Sequence, residues 1–181
     1  MKPAAQISRI LPVAVLLGPV LVGLGPGGGR TDDPKAAARE APATLLEVRG
    51  EIPRPLAFSR EEFARLPRRP VRARAHDGVE SNYEGVPLIE ILSRAGVPTG
   101  GELRGKALTL YLAVEAADGY RAIFALPELD PGFTDRVILL ADRRDGRPLS
   151  DREGPLQVIV PGEKKHARWV RQVVRLVIGR A

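Results

Sequence analysis

The stretch Tyr83-Glu84-Gly85-Val86-Pro87-Leu88-Ile89-Glu90-Ile91-Leu92-Ser93-Arg94-Ala95-Gly96 decides how this chain folds, because the start, buried face and end of a helix are all written in it. Pro87 suits the first helical turn, where its missing N–H costs nothing. Leu88, Ile91, Leu92 and Ala95 recur at the spacing of one helical face, and Gly96 is the residue that leaves a helix most easily. A helix this short is not stable alone and needs strands to cover its apolar face.

Those strands are legible on both sides. Upstream, Val71, Ala73 and Ala75 alternate with Arg72, Arg74 and His76, the pattern of a half-exposed strand, and Asp77-Gly78 turns it. Ser59 with Glu62 has capping-box spacing, which predicts a helix that faces Phe63 and Leu66 inward and ends at Pro67. Leu45 to Arg49 reads as a short strand before a turn over 50–55. Downstream, 107–116 and 120–126 flank Asp118-Gly119 as a hairpin, and 137–141 reads as a strand apolar on both faces. Asp145-Gly146 turns the chain, 156–160 is another strand, and 170–178 closes it in extended form after a basic turn of helix. About seven strands and two to three short helices predict an α+β fold with a mixed β-sheet over residues 44–181.

Composition agrees with one domain. The 181 residues suffice for one well-formed core, aromatic residues are 4%, and 19 Gly with 17 Pro imply an aliphatic core and many tight turns. There is no cysteine, which excludes disulfides, thiolate catalysis, iron–sulfur clusters and thiolate-bound zinc. The net charge of +6 is spread among many acidic residues, so it suits a small anionic ligand better than nucleic acid, which needs a concentrated basic stripe. No Ser/His/Asp arrangement, phosphate loop or Gly-rich dinucleotide fingerprint is present.

At the N-terminus, Lys2 and Arg9 precede an apolar run from Ile10 to Leu24 that is interrupted by Pro and Gly. It falls about five residues short of the roughly 20 needed to cross a bilayer. Residues 1–24 are therefore expected to be a Sec-type signal peptide or an N-terminal anchor, 25–43 a flexible linker, and the protein periplasmic or otherwise extracytoplasmic. Membrane contact is expected only through an uncleaved N-terminal segment.

Several segments together resemble the molybdopterin-binding domain of the sulfite-oxidase family. They are Tyr83-Glu84-Gly85-Val86-Pro87-Leu88 with Ile91-Leu92 and Ala95-Gly96; Ala117-Asp118-Gly119-Tyr120; Leu139-Leu140-Ala141 with Asp145-Gly146 and Pro148-Leu149; and Gly154-Pro155-Leu156, Val160-Pro161-Gly162 and Arg168-Trp169-Val170. The likeness runs over about residues 45–180 and implies that family's fold. In the family a cysteine after the strand preceding the Gly-Val-Pro-Leu helix binds molybdenum, and basic residues near the C-terminal end hold the cofactor's phosphate. Here the cysteine's neighbourhood is Ala75-His76-Asp77-Gly78, the usual Pro-Leu-Arg has become Pro-Leu-Gln at Gln157, and a shortened loop reads Glu163-Lys164-Lys165-His166.

The resemblance implies Lys165, His166, Arg168 and His76 as cofactor-binding candidates, with no catalytic and no metal-ligating residue assigned. Together with the N-terminal leader and the missing cysteine, it leads to the expectation of an exported domain that has lost molybdenum redox catalysis and binds a small anion, a pterin-like ligand or a periplasmic protein partner. No cofactor is expected to be retained, and molybdopterin is the one left open. The alternative is a molybdopterin-dependent oxidoreductase with a non-cysteine molybdenum environment. A third reading takes the two histidines as ligands of another metal.

Individual residues carry competing readings. His76 with Asp77, Glu80 and His166 is either an acid–base or metal cluster or the plain end of a strand. The cations of the last nineteen residues, Lys164, Lys165, Arg168, Arg171, Arg175 and Arg180, form either an anion site or a solvated strand face on which Arg171, Val173, Arg175 and Val177 share one parity. Trp169 is expected to be a packing anchor. Tyr120 and Arg121 are either hairpin-tip residues or the wall of a pocket.

Overall fold

The computed structural model describes residues 43–181, so the leader expected over 1–24 and the linker over 25–43, apart from Ala43, lie outside the described residues. In chain order the regular elements are β1 (Leu46–Gly50), β2 (Leu56–Phe58), α1 (Arg60–Ala64), β3 (Arg69–Arg74), β4 (Glu80–Pro87), α2 (Leu88–Arg94), β5 (Leu110–Ala116), β6 (Arg121–Ala125), β7 (Leu139–Arg144), β8 (Arg147–Pro148), β9 (Gln157–Ile159) and β10 (Val173–Arg180). Among the described residues no helix is long and apolar enough to cross a membrane.

The strands form two sheets. One has the order β2-β1-β10-β5-β6, in which β1 and β10 are parallel and the other pairs antiparallel. The other, antiparallel throughout, has the order β3-β4-β7-β8 with β9 also on β7. This is the α+β, mixed-strand fold expected, with ten strands among the described residues because β2 and β8 are too short to leave a pattern and β4 escapes detection. The expected strand start at 107 is a 3-10 turn over Gly105–Thr109.

Both helices form where the sequence places them. Ser59 Oγ accepts from the Glu62 N–H at 3.2 Å while Glu62 Oε2 accepts from the Ser59 N–H at 2.8 Å, and Phe63 is buried beneath that cap. α2 buries Leu88, Ile91 and Leu92 completely, each stabilising the fold by about 1.5–3 kcal/mol, and Gly96 leaves it at φ +81°. Gly85 is fixed by approach: a Cβ there would lie 2.2 Å from the Leu140 carbonyl oxygen, at the register shift where β4 meets β7.

β10 corrects the parity expected for the last strand. A register shift between Val173 and Arg175 puts Val173 on the buried side with Leu176 and Ile178, away from Arg175 and Val177. An extra residue in one strand of a pair turns the side chains before it to the opposite face. Val173 thereby joins the core, and the segment before it is free to line a cavity.

Candidate functional site

Loops from both sheets meet around a cavity of about 560 Å³. The β3–β4 tip contributes Ala75, His76 and Asp77, the β5–β6 tip Asp118 and Tyr120, the end of β7 Arg144, and the segments flanking β9 Arg152, Glu153, His166 and Arg171. That size is in the range of small-molecule pockets.

Its base combines apolar packing with buried polar groups. Tyr83, 1% exposed, meets Trp169 edge to face at 5.7 Å between ring centroids, and the Trp169 Nε1–H donates to the Val160 carbonyl at 3.1 Å. Burial pushes the Tyr83 phenol above its ordinary pKa, so at neutral pH it presents an O–H donor. Gln157, 3% exposed, lines the same cavity, and its Oε1 has no hydrogen-bond partner among the described residues. A buried amide oxygen left unpaired costs about 1–3 kcal/mol, which a ligand donor would recover.

The walls are ordered by one arginine. Arg144 donates from Nε to Ser81 Oγ at 2.9 Å and from a terminal nitrogen to Asp77 Oδ2 at 3.1 Å, lies 3.8 Å from Glu153, and sits 5.6 Å above the Tyr83 ring. The Val79 N–H and Arg144 hold the Asp77 carboxyl below its usual range. Asp118 accepts the Tyr120 N–H at 2.9 Å. The three carboxylates of the wall are thus engaged, while Arg152 and Arg171, both exposed on it, are ion-paired to no described residue. Beside Arg171, Gln172 occupies the left-handed region at φ 48°, donates its backbone N–H to the Glu153 carbonyl at 2.9 Å and accepts from the Ala117 N–H at 3.0 Å.

The residues singled out in the sequence divide here. His76 and His166 come together, their rings 6.0 Å apart at 83°, and His166 also packs edge-on against Trp169 at 4.5 Å. Asp77 shares their cavity, whereas Glu80 is exposed outside its wall. Lys165 is exposed and lines no part of the cavity. Arg168 is held elsewhere: it is bound to Glu163 and, at 2.9 and 3.0 Å, to both oxygens of Glu128, and it lies 4.6 Å over the Phe124 ring. Tyr120 lines the cavity and donates its hydroxyl to the Ala167 carbonyl at 2.7 Å, while Arg121 turns away to Glu115 at 2.7 Å. Trp169 is a packing anchor whose ring also forms part of the cavity.

Arg144, Arg152 and Glu153 were not singled out. Nothing local marks them: Arg144 and Glu153 acquire their places through contacts that close only in three dimensions, and Arg152 reads as an ordinary exposed arginine.

The family model described as oxidoreductase molybdopterin binding domain matches residues 35–180. No curated protein matches the chain. Among solved structures it is similar to the crystal structure of the sulfane dehydrogenase SoxCD from Paracoccus pantotrophus, with a TM-score of 0.57 and 25% identity over 74% of this chain. The likeness spans 37% of that longer chain. The family match does not support the expectation of a domain without a cofactor and makes molybdopterin the ligand class to consider.

Proposed function

Since the chain belongs to the oxidoreductase molybdopterin-binding domain family, we propose that the cavity between the two sheets binds a molybdopterin-type ligand through its pterin and phosphate, without a protein–sulfur bond to molybdenum, and that the protein acts as an exported binding module. The observation that carries the reading is the unpaired Gln157 Oε1 at the base of a cavity whose rim holds the unpaired guanidiniums of Arg152 and Arg171. A pterin edge offers N–H donors to such an oxygen, and guanidinium binds phosphate through paired, charge-assisted hydrogen bonds.

The residues fit the organic part of the cofactor and not its usual anchor. No thiol exists anywhere in the chain, and the cavity wall at the expected position is Ala75-His76. Loaded with metal, such a cofactor supplies redox chemistry. What this chain's residues do is bind and orient: Gln157 and Tyr83 read the polar edge, Trp169 and Tyr83 exclude water from the base, and Arg152 and Arg171 take the anion. The export reading is supported by the basic start and apolar run of residues 2–24.

The test is chemical analysis of protein purified from its native compartment. Released pterin, detected by fluorescence after oxidation, is expected near one equivalent and is expected to fall at least tenfold when Arg152 and Arg171 are both changed to Ala. Native protein without pterin, and without affinity for it, would overturn the reading. Molybdenum near one equivalent together with substrate-dependent electron transfer would establish the alternative, an oxidoreductase in which His76 or solvent stands where the thiolate would be.

A further inference from the structure

We propose that His76 and His166 form a site for a divalent transition-metal ion of the copper(II) type at the mouth of this cavity. The proposal goes beyond the pterin reading and does not depend on it. These are the only histidines in the chain, one on the tip between β3 and β4 and one in the 3-10 turn His166–Arg168, yet their ring centroids stand 6.0 Å apart. A metal–imidazole bond is about 2.0–2.1 Å and the ring centre lies about 1 Å beyond the nitrogen, so one ion bridging two rings spans up to roughly 6 Å. The observed separation falls within that span, with the two rings nearly perpendicular.

His166 is already oriented for this task. Its Nε2 lies 2.8 Å from the Arg74 carbonyl oxygen, which can only accept, so Nε2 carries the proton and Nδ1 keeps its lone pair in the neutral ring. A backbone carbonyl fixing the second nitrogen is the outer-shell partner typical of metal-bound imidazoles. The Trp169 edge at 4.5 Å restricts rotation of the ring. His76 is exposed and free to adjust.

The cavity wall carries Asp77, Asp118 and Glu153 beside Arg144, Arg152 and Arg171, a formal sum of zero, so an ion held by the two imidazoles would take its charge balance from an anionic ligand on the guanidiniums of Arg152 and Arg171. Among the described residues no group of three or more His, Cys, Asp or Glu is arranged around one ion. The site therefore supplies two nitrogens and leaves positions open to water or an anionic ligand, which favours copper(II) over the closed four-ligand sphere of structural zinc.

The experiment titrates copper(II) into the chelator-treated full chain. One equivalent is expected to bind, with an electron paramagnetic resonance spectrum showing coupling to two imidazole nitrogens. His76→Ala, at an exposed position that leaves folding intact, is expected to weaken binding at least tenfold and reduce the coupling to one nitrogen. Binding unaffected by His76→Ala, or a spectrum without imidazole coupling, overturns the proposal. Pterin affinity measured on the same samples separates the two readings: pterin uptake without copper uptake defeats this one alone, and copper uptake without pterin uptake supports it while defeating the other.

Discussion

His166 and Arg74, ninety-two residues apart in sequence, are joined by a 2.8 Å hydrogen bond from imidazole Nε2 to the main-chain carbonyl. This bond docks the turn after β9 onto the end of β3, and Trp169 packs behind it. Replacing His166 by Ala removes one hydrogen bond and two edge-to-face contacts, with Trp169 and His76, at a cost of about 1–2 kcal/mol. A chemical denaturation curve is expected to show a lower midpoint with an unchanged slope, the product of slope and midpoint shift giving that loss. An unchanged midpoint would show that the turn is held by its other contacts.

Asp77 connects the same rim to pH. Hydrogen bonds from the Val79 N–H and from Arg144 lower its folded pKa below the ordinary value of 3.8. A carboxyl whose folded pKa is depressed binds fewer protons when folded, so its contribution is complete above the unfolded value and disappears as pH falls through the folded one. Stability measured from pH 6 to 2 is expected to decline less steeply below about pH 4 in Asp77→Asn than in the native chain. Parallel curves for the two proteins would mean that Arg144 does not discriminate between the two states of Asp77.

Arg168 was expected at the ligand and is found bound by Glu128 and Glu163. Its guanidinium is largely covered, and hydrogen bonds to charged partners in such positions are worth more than exposed pairs. Arg168→Ala is expected to cost about 1–2 kcal/mol of stability while leaving phosphate and pterin affinity within twofold. A tenfold loss of affinity in a protein of normal stability would return Arg168 to the binding surface.

What could be read from sequence followed the range of the interactions. α2 and the Ser59 cap were legible because their signals lie within a few residues of each other. β4 was missed although its burial alternates, because its inward positions include Ser81 and Gly85 in place of aliphatic side chains. The meeting of His76 and His166 was one of two open readings, since no local pattern connects residues ninety apart. Arg171 was one of six C-terminal cations that could form an anion site, and Arg152 could not be told from other surface arginines: their distinction is that the nearby carboxylates of Asp77 and Glu153 face Arg144.

Gln157 tests the binding reading from the protein's own energetics. Its Oε1 lines the cavity and is buried without a partner among the described residues. Gln157→Leu keeps the volume and removes the unpaired group, so the free protein is expected to gain about 1 kcal/mol, the lower end of the cost of an unsatisfied buried polar atom. Ligand affinity should move the opposite way and fall at least tenfold, because pterin donors then face a methyl group. Thermal melts without and with added pterin measure both effects on one sample. Destabilisation of the free protein would show that Gln157 is a structural amide, since stability gained at the expense of binding is the mark of a residue held for its ligand.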